Sequence, residues 1–395
     1  MEDAYIVYFK RVPFSRARPN DPERDMYNDL RMDDLLSRLI RKSVDDTGIN
    51  PEEIGDVITG CAFQAGENWT YGGRHPVLLS ELPVSVPAMS LDRACSSSLN
   101  AVSIGAMEIM SEKSDIVIAG GMEHMTHVPL GISNPYIKPN MSLMLNPRYS
   151  KYDMNVSYNM GLTAEKLAAL RGITRKEMDE YSYNSHLRAR KAYESGFMKD
   201  EIMPVTVERD GEEIKIEKDL SIRDDASLES MEALKPAFKP DGIITAGNSA
   251  PLNDGASMVM LMSERAMNEY GLKPMARIVD FAAAGVDPTI MGDGPVPATR
   301  KILSRNKIDP QDIDLWEINE AFAVVVLNAV KSFNLDLKKV NINGGGISIG
   351  HPLGATGARI AGTLARQLAN KRKRYGIATL CVGGGQGYSL LMERI

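Results

Sequence analysis

Cysteine is scarce in this chain, with three in 395 residues. So low and odd a count offers no disulfide framework and fits a reducing compartment. Histidine is also sparse, with five residues, which narrows the choice of a catalytic base. No apolar run is long enough to span a bilayer, and the acidic start Met1-Glu2-Asp3-Ala4 is not a signal-peptide pattern. The end, Met392-Glu393-Arg394-Ile395, carries no peroxisomal address. Positive charge is not in excess. The net charge of −6 argues against general nucleic-acid binding. The one basic run, Lys371-Arg372-Lys373-Arg374, follows an apolar helical pattern and reads as a solvated helix C-terminus. The expectation is a cytoplasmic protein with no membrane span and no nucleic-acid partner.

A hydrophobic content of 43% and a charged content of 25% belong to a soluble globular enzyme. The length asks for more than one core. An internal echo suggests how they arise. Ile49-Asn50-Pro51-Glu52-Glu53-Ile54-Gly55-Asp56-Val57-Ile58 resembles Ile308-Asp309-Pro310-Gln311-Asp312-Ile313-Asp314-Leu315-Trp316-Glu317, at an offset of 308 − 49 = 259. Each copy follows an amphipathic helix (33–46 and 298–306) and leads into a strand. The pattern points to a duplicated α/β unit. In the first half, a strand over 85–91 leads to Cys95. A helix follows, with Leu99, Val102, Ala106 and Met110 at helical spacing, and then a strand over 115–119. In the second half, a turn at His351 leads to a helix over 354–370 and a strand over 377–380. Cys95 and His351 therefore hold similar places, and a pseudo-twofold packing of the halves would bring them together. Residues 1–121 with 249–270 form the expected first half, 271–395 the second, and 122–248 an inserted loop domain over the site. A charged helix is expected at 174–195, and an apolar strand at 257–262.

Two glycine-framed motifs carry reactive side chains: Gly344-Gly345-Gly346-Ile347-Ser348-Ile349-Gly350-His351-Pro352-Leu353-Gly354 and Cys381-Val382-Gly383-Gly384-Gly385-Gln386-Gly387. Glycine serves where backbone must approach closely or adopt positive φ. Cys95, in Ala94-Cys95-Ser96-Ser97-Ser98, lies just before a helix, whose N-terminus favours a thiolate. Cys95, His351 and Cys381 together make a candidate acyl-transfer site. The Cys381 loop is not a dinucleotide fingerprint, because a strand follows it and the chain then ends. Its N–H groups suit an oxyanion hole instead. Asn319 opens an expected helix and suits either an N-cap or a bound water. Cys61 reads as packing. His124 and His127 form an i, i+3 pair, but no further ligand is spaced to complete a metal site, so no metal is expected.

Taken together, these segments resemble the thiolase family. The motifs are Arg11-Val12-Pro13-Phe14, the Cys95 segment, Gly161-Leu162-Thr163-Ala164-Glu165, Asn248 to Ala256, Asn319-Glu320-Ala321-Phe322, Gly344 to Gly357, and Cys381 to Gly387. They span nearly the whole chain in family order. Glu123 to Pro129, Asp287 to Gly292 and Gly294 to Pro297 look like the degradative 3-ketoacyl-CoA thiolases of fatty-acid β-oxidation. The resemblance implies an α/β fold with two duplicated αβαβα halves and an inserted loop domain, assembled as a homodimer or dimer of dimers. It makes Cys95 the nucleophile and His351 its base, and Cys381 the acid/base at the α-carbon. Asn319 orients a water that forms one oxyanion site with His351. The N–H groups of Cys95 and Gly383 form the second. Arg223 and Ser230 match contacts to the nucleotide end of coenzyme A, Phe238 a tunnel wall, and Met160 the pantetheine path.

The implied reaction is thiolysis of a 3-ketoacyl-CoA by coenzyme A, a co-substrate, with no permanently bound cofactor. A hydratase/dehydrogenase subunit is a further implied partner. Three positions depart from the family's usual pattern. Ala250 replaces a serine, for which Ser249 is a candidate substitute. Asn159 stands where some short-chain biosynthetic members have histidine, and Asp92 replaces an asparagine. Rival readings are an acetoacetyl-CoA-forming acetyltransferase, a decarboxylating ketoacyl synthase and a non-catalytic lipid-binding relative. The synthase would not need Cys381, and the lipid binder would not need all three of Cys95, His351 and Cys381.

Overall fold

The echo in the sequence becomes a repeat of elements in the computed structural model, which describes residues 2–395 apart from 132, 133 and 136. In the first half, strand Ile54–Gly60 pairs in parallel with Ala88–Leu91 and Ile116–Glu123. Asn253–Ser263 then joins antiparallel to Ile116–Glu123 and to Ala4–Arg11. In the second half, Leu315–Ile318 runs parallel to Tyr375–Val382. Gln386–Glu393 is antiparallel to Tyr375–Val382 and to Ala276–Gly285. The offset of 259 survives: 375 − 116 = 259 for two eight-residue strands. The short 3₁₀ turns opened by Pro51 and Pro310 also differ by 310 − 51 = 259. Only the outermost strand, Ala88–Leu91, lacks an equal; a lone parallel bridge of Trp316 with Val340 marks its place. Pairing of Ala4–Ile6 with Ala276–Ile278 joins the halves into one continuous sheet.

Helices complete an αβαβα layering. Helix Met32–Thr47 buries Leu35, Leu36, Leu39, Ile40 and Val44 against the first half and stops at Gly48, whose φ is 67°. Helix Pro295–Asn306 covers the second half, packed on Ala276–Gly285 and Gln386–Glu393. Between the sheet faces lie helices Ser97–Met110 and Leu353–Lys371, packed against each other. Every residue from Leu353 to Leu368 is buried, as a central layer requires. Glycine makes the approach possible, since a Cβ on Gly357 would lie 2.1 Å from the backbone N of Leu99. This contact sets the start of the histidine helix against the start of the cysteine helix.

The segment between Glu123 and Asn253 contains helices Met160–Arg171 and Arg175–Glu194 and the hairpin Val205–Arg209/Glu212–Ile216. Thr174 and Glu177 form a capping box at the start of the charged helix. Buried Arg11 ties this segment to the first strand through Glu201 at 2.9 Å and Asp219 at 2.6 Å. Removing one partner of such a buried pair costs about 3–5 kcal/mol. Among the described residues, no helix is long and apolar enough to cross a membrane.

Two local expectations change. The strand expected over 85–91 begins only at Ala88, because Pro87 brings no N–H to the ladder. Asn319 does not cap a helix. The helix after it is Ala323–Phe333, with Phe322 in the capping position, and the Asn319 side chain is free for another task.

Candidate active site

Cys95 lies in the 3₁₀ turn Ala94–Ser96, immediately before helix Ser97–Met110. The turn is made by Ala94 at φ 43° and held by Asp92, whose Oδ1 accepts the Ala94 N–H at 2.6 Å. The turn packs against both helix Leu353–Lys371 and strand Tyr375–Val382. It therefore meets the elements that carry His351 and Cys381. Cys95 also shares an apolar cluster with Leu353, two residues after His351.

The helix terminus does not leave Cys95 a ready thiolate. Burial pushes its thiol up to about 11, against the lowering effect of the Gly383 N–H and its own N–H, and with smaller upward contributions from Glu123 and Asp92. The sequence expectation of a stabilised thiolate is thus corrected, because removing the sulfur from water outweighs the local dipoles. Cys381 is fully buried near the end of its strand. Burial, then the neighbouring Cys95, hold its thiol well above the ordinary range. Neither thiol rests near operating pH, so each needs a partner to move its proton. The turn after Cys381, with Gly384 and Gly385 at φ 80° and 82°, points the Gly383 N–H at Cys95.

His351 is buried, and its ring is fixed on both sides. Thr356 Oγ1 donates to the Pro352 carbonyl at 2.7 Å and so accepts from His351 Nδ1, also at 2.7 Å. That leaves Nε2 unprotonated, facing the Asn319 Nδ2 amide at 3.1 Å. Burial, helped by the charge of Arg359, drives the imidazole pKa down to about 3. A neutral imidazole with an unprotonated Nε2 is a base that can accept a thiol proton. Asn319 Oδ1 is buried without a partner among the described residues, which suits a bound water. Gly350 has φ 118°, and a Cβ there would lie 2.7 Å from Asn253 Nδ2. Asn253 Oδ1 accepts the His351 N–H at 2.9 Å.

Several supporting residues escaped the sequence reading. Thr356 lies inside the histidine motif but shows no signal of its own. Glu320 accepts from Tyr181 at 2.6 Å, Ser185 at 2.7 Å and the Ile347 N–H at 3.1 Å, holding the glycine loop before His351. Glu123 accepts the Gly354 and Ala62 N–H groups, both at 2.8 Å, and ties the histidine turn to the Cys61 turn. Cys61 is buried beside Glu123, with Sγ 3.5 Å from Oε1.

The residues matched to coenzyme A fall into two groups. Met160 opens its helix beside the Cys381 turn; its sulfur lies 3.6 Å from where a Gly383 Cβ would be. Phe238 stacks edge-on against Phe322 at 5.9 Å. Ser249 bridges to Phe322, and its hydroxyl donates to the Thr245 carbonyl at 2.7 Å. Asn159 caps the Met160 helix, accepting the Leu162 N–H at 3.2 Å. Arg223 and Ser230 lie farther out in the inserted segment. The Arg223 N–H donates to His186 Nδ1 at 3.2 Å, and Ser230 completes an exposed capping box with Ser227. The structure also supplies what the His124/His127 pair lacked in sequence: Glu67, remote in the chain, joins the two histidines in space.

Comparison with known proteins establishes the family. The thiolase N-terminal domain model matches residues 4–265, and the thiolase C-terminal domain model matches residues 272–394. The chain belongs to the thiolase family. It is an acyltransferase. It is 40% identical over 399 residues to the 3-ketoacyl-CoA thiolase of Marinobacter nauticus, covering 100% of this chain and 98% of that one. It is 41% identical over 368 residues to an acetyl-CoA acetyltransferase of Chromobacterium violaceum, covering 91% and 93%. The crystal structure of human mitochondrial 3-ketoacyl-CoA thiolase in complex with CoA superposes with a TM-score of 0.87 at 32% identity, covering 100% of this chain and 98% of that one. This thiolase uses coenzyme A as a co-substrate.

Proposed function

We propose that this thiolase cleaves 3-ketoacyl-CoA with coenzyme A to acetyl-CoA and a shortened acyl-CoA, as a step of fatty-acid β-oxidation in the cytoplasm. One observation carries the reading: two cysteines share a site, and the turn after one aims a backbone N–H at the sulfur of the other. A nucleophile and a separate proton donor beside one oxyanion donor are what carbon–carbon cleavage requires.

As Cys95 Sγ attacks the 3-keto carbon, its proton passes to His351 Nε2. The Cys95 and Gly383 N–H groups, which face that sulfur, hold the new oxyanion. The Cα–Cβ bond then breaks, and the electron pair becomes the enolate of acetyl-CoA. Cys381 gives that enolate its proton, while the His351 Nε2–H and the water held by Asn319 steady its oxygen. Coenzyme A enters and returns a proton to Cys381. Its thiolate attacks the acyl group on Cys95, and the departing Cys95 sulfur regains the proton from His351. Run in reverse, the same steps form a carbon–carbon bond.

For the co-substrate, Met160, Phe238 and Ser249 line the pantetheine path, and Arg223 with Ser230 takes the nucleotide end. Supporting this, Arg16 is held below its ordinary pKa by burial and by the nearby charges of Arg18, Arg223 and Arg24. Phosphates would relieve that crowding of cations. Residues 1–121 with 249–270 and residues 271–395 make the two halves, with 122–248 as the covering domain. A homodimer or dimer of dimers, associated with a hydratase/dehydrogenase subunit, completes the proposal.

The test is thiolysis across 3-ketoacyl-CoA chain lengths. A kcat/KM that rises beyond acetoacetyl-CoA supports the degradative role. Activity confined to acetoacetyl-CoA would assign the acetyltransferase role instead.

A further inference from the structure

Away from the two cysteines, the turn Met122-Glu123-His124-Met125-Thr126-His127 stacks two imidazoles. The rings of His124 and His127 lie 4.0 Å apart between centroids and 14° from parallel. Both turn one nitrogen toward Glu67, at the 3₁₀ turn Gly66–Asn68. His124 Nε2 is 3.6 Å from Glu67 Oε1, and His127 Nδ1 is 3.0 Å from Glu67 Oε2. His124 is fully buried, and among the described residues neither its Nε2 nor Glu67 Oε1 has a hydrogen-bond partner.

The outer nitrogens decide what faces inward. Asp254 Oδ1 already accepts the N–H groups of Met125 and Thr126, so it is an acceptor, and His124 Nδ1, 3.2 Å away, must donate to it. The His127 N–H lies 3.5 Å from the same Nδ1, too far to compete. Asn28 turns its amide N–H toward Asp29 and presents Oδ1 to His127 Nε2 at 3.0 Å. When neutral, each ring therefore aims a bare lone pair at a carboxylate oxygen. Lone pairs converging in this way repel unless a cation lies between them. Two protons are the poorer answer. Two imidazolium rings would then be stacked face to face, and the 3.6 Å gap is too long for a hydrogen bond. Arg31 approaches Glu67 Oε2 only to 4.0 Å and is already engaged with Asp33 at 2.8 Å.

We propose that Glu67, His124 and His127 bind one divalent transition-metal ion of the zinc class, with Asp254 and Asn28 orienting the two imidazoles. The three ligand atoms lie within 4.8 Å of one another. Bonds of about 2.0–2.1 Å to a tetrahedral ion bring such atoms to about 3.3 Å apart, a closure that side-chain rotation supplies. Carboxylate and carbonyl partners on the far ring nitrogens are the usual outer support of metal-binding histidine. Glu67 and His127 are 22% and 29% exposed, which leaves an entry path and room for a water as fourth ligand. The neighbouring group Asp25, His124 and Asp254 is a poorer cradle, because Thr126 Oγ1 already bridges both carboxylates at 2.7 and 3.0 Å. The ion would pin the His124 turn to the Glu67 turn.

The experiment is metal content, read independently of turnover. Chelator-stripped full-length protein, with Cys95 blocked by iodoacetamide, is dialysed against Zn²⁺ and assayed by mass spectrometry. One Zn²⁺ per chain and a Zn²⁺-dependent rise in Tm are expected. Glu67→Gln and His127→Ala should lose both, while Asn28→Ala should bind about ten-fold more weakly. Co²⁺ should give a visible d–d band that Glu67→Gln abolishes. A wild-type protein that retains no Zn²⁺, or unchanged retention in folded Glu67→Gln and His127→Ala, would overturn the proposal.

Discussion

Alkylation of Cys95 tests whether the resting site holds a neutral thiol and a neutral imidazole. Iodoacetamide reacts with the thiolate. An exposed cysteine titrates near 8.5, whereas burial holds Cys95 at about 11. The difference of roughly 2.5 units cuts the thiolate fraction at pH 7 about 300-fold. A more basic thiolate is more nucleophilic, and a Brønsted slope of about 0.4–0.5 returns roughly 10- to 20-fold. Resting Cys95 should therefore react about 20- to 30-fold more slowly than free cysteine at pH 7. The assay follows mass-mapped labelling of Cys95 from pH 6 to 10. The log of the rate should climb with unit slope and no plateau. His351→Ala should leave that profile almost unchanged while abolishing turnover, since a base held at about 3 gives no charge to the resting thiol. Asp92→Asn should move it down by less than about one unit, because Asp92 is the smallest named cause. A plateau below pH 8 that vanishes in His351→Ala would refute the reasoning and show a standing thiolate–imidazolium pair.

Three further outcomes follow from the same geometry. Thr356→Val removes the acceptor at His351 Nδ1, so kcat should fall about 10²-fold or more with KM little changed; an equal rise in KM would mean a packing defect instead. Cys381→Ser should slow carbon–carbon cleavage by about 10²–10⁴-fold, yet spare acylation of Cys95 by a simple acyl-CoA, which moves no α-proton; equal loss in both assays would contradict separate roles. The pKa of His351 is lowered on folding, from 6.5 to about 3. The unfolded chain therefore binds its proton first, and this stability is present above pH 6.5 and lost as pH falls toward 3. The loss is on the order of 4–5 kcal/mol. Glu123 and Glu317, raised to about 7, act with the opposite sign between 4.5 and 7. Denaturant titrations of wild type against His351→Ala isolate the histidine, and parallel pH profiles of the two would dismiss its contribution.

Much of the scaffold was legible because duplication leaves a periodic trace. The echo around Pro51 and Pro310 depends on local turn chemistry that the chain writes twice, and the three-dimensional repeat keeps its offset of 259. Cys95, His351 and Cys381 stood out because glycine or a helix start framed each of them. The electrostatics were not legible. A helix N-terminus is visible in sequence and suggests a thiolate, but desolvation depends on residues remote in the chain, and it wins. By sequence Asn319 suits an N-cap or a bound water, and the helix start at Ala323 removes the capping role.

The least legible residues do the positioning. Thr356 sets the histidine tautomer through a hydroxyl whose own proton is committed to Pro352. Nothing in a threonine one helical turn past a proline announces that commitment. Glu123 and Glu320 brace the turns around His351 from strands and loops far away in sequence, and a lone buried glutamate has no spacing rule to reveal it. The same blindness hid Glu67. An i, i+3 histidine pair is a local pattern, whereas its carboxylate arrives only when the sheet brings Gly66–Asn68 beside Ile116–Glu123. Reactive groups are thus readable where the backbone must be unusual. The groups that set their protons and charges are ordinary residues on ordinary elements, and only the fold brings them to the site.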